Sequence, residues 1–271
     1  MRAHRSTRAP AGVRVLAVVG LALIVGPLVA IMVRAPWALL PEIVARESSL
    51  QALGISLGTA SAATGLSVLL GLPLAIVLAG EPGGSPSVAG RIVRAFVTVP
   101  VVLPPVVGGV ALVALLGDGG LVSQPLADLF GFALPTSAAA VILAQTFVAM
   151  PFLVFAIEGA LRGSDARFGI VAASLGAAPH RRLVRVTLPL IAPGIAAGAA
   201  LSFARALGEY GATVTFATSI PGVTQTLPMA IYAQLALDDR DAAIALSLVL
   251  IAVSVVVLVA LRDRWVPGVM R

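Results

Sequence analysis

Residues 170–189 read IVAASLGAAPHRRLVRVTLP, and this stretch decides the fold. It lies between long apolar runs and carries Arg181, Arg182 and Arg185, which makes it too basic to cross a bilayer. It is also too rich in helix formers to be a slack loop. Residues 165–175 suit a short helix, with Ser164 as N-cap and Asp165 at the positive helix end. Ala172 and Ala173 keep that helix thin, and Gly176 lets the chain turn sharply after it. Pro179 is placed to open a second short helix running through Arg185. A thin two-helix projection of this kind fits a groove on a partner protein.

Composition sets the class around that projection. The chain has 271 residues, of which 59% are hydrophobic and 11% charged, and its mean hydropathy is +1.05. Those values belong to a polytopic membrane protein, and the length allows about six spans of roughly 20 residues. Every one of the 18 basic residues is arginine. Clusters of arginine in the loops of a membrane chain mark the cytoplasmic side, and no basic stripe alternates with aromatics as nucleic-acid binding needs. The absence of cysteine excludes disulfides and thiolate metal sites, and His4 and His180 are too far apart to suggest a metal pair.

In chain order, residues 1–12 are a basic N-terminus and 13–33 an uncleaved first span. Residues 34–52 are an external connection, and 53–79 the second span. A Pro/Gly turn with Arg91 and Arg94 follows at 80–94. Residues 95–116 hold Pro100, Pro104, Pro105, Gly108 and Gly109, which predict a kinked or partly unwound third span. Residues 136–157 form the fourth span, 158–189 the loop, and 191–216 the fifth span. Residues 218–237 read as a re-entrant or interfacial segment, 242–261 as the last span, and 262–271 as a basic tail. Residues 13–261 thus make a single transmembrane domain. With the N-terminus inside, fourteen arginines fall on the inner side and three (Arg34, Arg46, Arg240) outside, while Arg205 lies within the membrane. The asymmetry places both termini and the 158–189 loop in the cytoplasm.

The loop also carries a resemblance. Ala172, Gly176, Leu188 and Pro189 match the cytoplasmic signature of ABC importer permeases, Glu-Ala-Ala, three residues, Gly, nine residues, Ile, one residue, Leu-Pro. Val171 and Val186 stand in for Ala and Ile, and Ile170 occupies the place of the Glu. PPVVGGVAL at 104–112, LAQTFVAMPF at 143–152 and SFARALGEYGATVTFATSIPGVTQTLPMAIY from Ser202 resemble the molybdate-importer permeases in order and spacing. Sulfate/thiosulfate permeases share the scaffold and stay open as the alternative substrate class. The resemblance implies an all-α, type I importer fold of about six transmembrane helices in a bacterial or archaeal cytoplasmic membrane. It also implies two copies of the chain, two separate ATPase subunits and an extracytoplasmic oxyanion-binding protein. ATPase-coupling residues would be Asp165, Ala172, Ala173, Gly176, Ala177, Leu188 and Pro189.

The residues themselves agree that this chain works with others. It has no Gly-x-x-x-x-Gly-Lys-Ser/Thr phosphate cradle, no nucleophile elbow and no His-Glu-x-x-His pair. The expectation is therefore a transport subunit, not an enzyme, with no cofactor and no metal. A stand-alone secondary transporter is the reading from another class; it should show intramembrane acids for ion coupling, and Glu209 alone qualifies. Arg205 and Glu209 stand four apart on the fifth span and are expected to pair. That pair either fixes the helix, or lends positive potential to an anion path. Thr213, Thr215, Thr218, Ser219, Thr224, Gln225 and Thr226 are candidate neutral donors along such a path, or satisfy local backbone.

Overall fold

A backbone inside hydrocarbon must satisfy its own N–H and C=O groups, so apolar runs of this length become helices. The computed structural model describes residues 10–80, 87–123, 125, 128, 134–165 and 167–265. Among them the elements are α1 (Ala11–Val33), α2 (Leu40–Ala45), α3 (Glu47–Ala79), α4 (Val88–Val102) and α5 (Pro105–Leu116). They continue with α6 (Ala138–Gly163), α7 (Arg167–Ser174), α8 (Pro179–Leu207), α9 (Gly211–Ala217), α10 (Leu227–Ala236) and α11 (Arg240–Trp265). Five of these are long and apolar enough to span, and α4 with α5 makes a sixth if the pair is one span. The Pro/Gly turn at 81–86, the arginines up to Arg8 and the tail beyond Trp265 lie outside the described residues.

The most deeply buried span is α6, and α3 and α8 pack against it. Small side chains bring the backbones together, as lipid supplies no hydrophobic drive of its own. Ala60 and Ala63 of α3 meet Ala149 of α6 and Ala206 of α8 in one cluster. At Gly198 of α8 an added Cβ would stand 3.0 Å from the Ala156 side chain. A second cluster joins Ala75 and Leu78 to Leu153, Val154, Ile157 and Ile191. The short α10 cannot span; the Ser56 hydroxyl of α3 accepts a hydrogen bond from the Leu227 N–H at 2.6 Å and anchors its start.

Several expectations change, among them the start of the helix that forms the second span, which is Glu47 and not residue 53. The third span is more than kinked: α4 and α5 meet at 118°. Pro104 and Pro105 bring no N–H to a ladder, and Leu103 before them is extended (φ −65°, ψ 139°). The fifth span stops at Leu207, and α9 starts separately at Gly211, so Glu209 sits beyond the helix end and not one turn along it. Glu158, assigned to the loop, lies inside α6. Finally, Ser164 is the C-cap of α6, and its hydroxyl donates back to the Leu161 carbonyl. Asp165 instead accepts the Arg167 N–H at 2.9 Å.

Candidate functional site

The loop between α6 and α8 is built from its own backbone. Helix α7 closes with the Gly176 N–H donating to the Ala173 carbonyl at 2.9 Å and the Ala177 N–H to the Ala172 carbonyl at 3.0 Å. These two bonds define a Schellman motif, whose C′ residue must be left-handed. Gly176 fills that position at φ +79°. A Cβ added there would meet nothing within 4 Å, so backbone conformation, not crowding, is what calls for glycine. The Arg167 side chain and backbone N–H beside Asp165 hold its carboxyl below the usual carboxylate range. A depressed pKa keeps the ionised form down through that range. The Asp165–Arg167 contact is thus intact at neutral pH and is lost only as strong acid protonates the carboxyl.

Between α7 and the start of α8 runs an open groove lined by Phe168, Val171, Ala172, Leu175 and Val186, with Asp165 and Arg167 also in its lining. Leu175 is 82% exposed, and Phe168, Ile170 and Val171 are exposed as well. Exposed apolar side chains on a short helix without a charge between Arg167 and His180 make a face fit to be covered. The second helix does not end at Arg185. It passes through a wide turn, Leu183–Thr187, and continues as the membrane span. That turn relieves the clash Pro189 would otherwise make with the carbonyl four residues earlier. Leu188 and Pro189 thereby join the loop to the span.

An ionic cluster that sequence reading missed sits near the end of α6. The Glu158 side chain is 7% exposed; its Oε1 accepts from Arg94 Nη2 at 3.0 Å, and its Oε2 from Arg162 Nη2 at 3.2 Å. Arg94 Nη2 also donates to the Leu78 carbonyl at 2.9 Å, a free acceptor in the last turn of α3. Glu158–Arg162 is an i,i+4 pair visible in the sequence. Arg94 lies 64 positions away, and only the fold brings it in.

Arg205 Nη1 lies 2.6 Å from Glu209 Oε2, with side-chain exposures of 28% and 1%. Glu209 Oε1 accepts the Ala212 N–H at 2.8 Å. One carboxylate therefore holds the end of α8 and caps the start of α9. The break is backed closely by α5: a Cβ on Gly109 would stand 2.8 Å from the Ala212 carbonyl oxygen. Of the candidate donors, Thr215 donates to the Gly211 carbonyl. Thr224 donates to the Thr218 carbonyl and accepts the Ile220 N–H. Ser219 and Gln225 bond one another at 3.2 Å. Thr213 and Thr226 are fully buried with hydroxyls that have no protein partner. Thr218 is exposed at φ +60°. Within the chain the set is thus split among several local bonding arrangements. Among the described residues no cluster of acids and histidines could hold a metal ion.

The arrangement offers an exposed apolar face on α7, an ionic cluster near the end of α6 and a capped break between α8 and α9. Comparison with known proteins is specific. Residues 71–269 match the model of the family described as binding-protein-dependent transport system inner membrane component. The chain is 46% identical over 261 residues to the molybdenum transport system permease protein ModB of Mycobacterium tuberculosis, covering 96% of this chain and 97% of that one. It is 35% identical over 221 residues to the Escherichia coli K12 protein of the same name, covering 82% and 94%. Among solved structures, it is similar to that of a bacterial ABC transporter involved in import of the acidic polysaccharide alginate. There the TM-score is 0.67 at 20% identity, covering 93% of this chain and 92% of that one. An inward-facing MetNI methionine ABC transporter gives a TM-score of 0.63 at 19% identity, covering 82% and 96%. These two likenesses concern the fold alone.

Proposed function

Because the chain belongs to the family of binding-protein-dependent transport system inner membrane components, we propose that it is the membrane-spanning permease subunit of an ATP-driven molybdate importer. The observation that carries this reading is the end-to-end 46% identity with a molybdenum permease. Sulfate is the competing substrate, as the scaffold serves both oxyanions. The chain supplies the path and separate subunits supply ATP hydrolysis. The loop 164–178 and the first turns of α8 dock on an ATPase, with the apolar face of α7 seated in its groove. An extracytoplasmic binding protein delivers the anion. The centre of a single bundle is filled by α6, which supports a route for the dianion between two copies of the chain. Selectivity rests largely with the binding protein, since conduction requires release as well as entry.

The test is reconstitution. The chain, purified from native membranes with its partners and placed in liposomes, should take up molybdate only with ATP, and molybdate-loaded binding protein should stimulate hydrolysis. Stimulation by sulfate instead would move the substrate to the alternative class. Uptake without an ATPase would make the chain a secondary transporter.

Orientation follows from the arginine distribution. Reporter fusions at Arg182 and at the C-terminus should read cytoplasmic, and fusions at Asp128 and Asp239 external. An external signal at Arg182 would remove the docking face from the ATPase.

A further inference from the structure

Glu158 stands five residues before the end of α6, just over one turn from the loop, and its carboxylate is held by guanidinium groups from two helices. Arg94 in turn binds the end of α3 through the Leu78 carbonyl. What makes this more than a staple is the helix Arg94 belongs to. α4 has no fully buried side chain, so apolar packing holds it weakly, and sliding it sideways exposes little new surface. The charge-assisted bond from Arg94 is by contrast directional, and the carboxylate that receives it is only 7% exposed. At its far end α4 meets α5 at 118° through Leu103 and Pro104, where no backbone ladder crosses. α5 is seated firmly: Gly109 lies so close to α9 that a Cβ there would stand 2.6 Å from Thr215 Cβ. Glu209 then ties α9 to α8.

We propose that the Arg94–Glu158 ion pair is a strut that carries movement of the cytoplasmic loop into α4, and through the 118° elbow into α5 and α9. It rests on the reading that the loop docks on an ATPase. As the loop shifts, the end of α6 shifts with it. Glu158 draws Arg94 along, and α4 turns about Leu103–Pro104. The α5–α9 unit, with its capped break, moves as one body. Arg94 and Glu158 are positioning residues on this account; neither has to touch the transported anion.

The experiment uses the full complex in proteoliposomes, with molybdate as the probe, and reads molybdate taken up per ATP hydrolysed together with ATPase retained on the tagged permease. Glu158→Gln and Arg94→Gln should each keep the ATPase bound and hydrolysing while the ratio falls at least tenfold. Arg91→Gln, one turn earlier on α4 with the same loss of charge and no bond to Glu158, should leave the ratio unchanged. A native ratio in Glu158→Gln or Arg94→Gln overturns the strut, and so does an equal loss in Arg91→Gln. Should the Gln variants fail to insert, the question passes to the otherwise native chain, which has no cysteine of its own. Spin labels at Ile92→Cys on α4 and Gly159→Cys on α6 should keep one separation with and without ATP. A separation that changes means α4 does not follow α6, and the strut is wrong. If the unsubstituted chain retains no ATPase, the docking reading itself fails; retention with a native ratio in Glu158→Gln removes the strut alone.

Discussion

Glu209→Ala should leave a protein that inserts into the membrane but unfolds readily once solubilised. The substitution takes away two things at once: the partner of Arg205 at 2.6 Å and the acceptor for the Ala212 N–H at 2.8 Å. Breaking a buried pair from one side costs about 3–5 kcal/mol, because the remaining charge is stranded. Losing a cap adds roughly 0.5–2 kcal/mol. Glu209→Gln separates the two, since its amide oxygen still caps α9 while Arg205 loses its counter-charge. Thermal unfolding of the solubilised chain should rank native above Glu209→Gln above Glu209→Ala. Arg205→Met with Glu209→Gln removes the stranded charge and should recover most of the stability that the Gln variant loses. Transport then decides the role. Recovery of uptake in the double variant makes the pair a fastener. Uptake still lost in a stable double variant assigns the partly exposed guanidinium to the anion path. A harmless Glu209→Ala would contradict the burial of this carboxylate.

Gly176→Leu should uncouple or detach the ATPase while insertion is unaffected, and Gly176→Ala should do nearly the same. The equal effect of a small and a large residue follows from the structure: there is free space around Gly176, and its φ of +79° is the constraint. A left-handed position costs an ordinary residue about 1–2 kcal/mol. On a loop this short that shifts the population of the docking conformation roughly 5- to 30-fold. Asparagine tolerates the left-handed region better, so Gly176→Asn should retain clearly more ATPase than Gly176→Ala. Affinity capture of the ATPase on tagged permease reads the series directly. An alanine variant that behaves as native, beside a damaged leucine variant, would mean that bulk against the partner matters and not the turn.

Much of this is legible in the sequence itself. Hydropathy located the long apolar helices, because burial in lipid leaves a backbone few choices. The spacing in residues 170–189 set Gly176 at the end of one short helix and Pro179 at the start of the next, because local steric rules decide both. The Ser164 cap went the other way. A serine flanked by a helix on either side can end the first or begin the second, and Asp165 was the better acceptor for α7. The elbow at Pro104 was legible as a break but not as an angle of 118°, since the packing of α5 on α9 chooses the direction.

Sequence alone determined class, span order, the loop and its signature, because these depend on transfer energies and on conformational preferences within a few residues. Tertiary structure decided which charges meet. Glu158 had two arginines within reach in principle, and only the packing of α4 onto α6 brought in Arg94 across 64 positions. Arg205 and Glu209 were four apart in either case. That the carboxylate caps a separate helix, instead of lying one turn along a continuous one, was settled by the chain breaking after Leu207. A pairing within one helical turn is written in the spacing, whereas one between helices depends on the path of every residue between them.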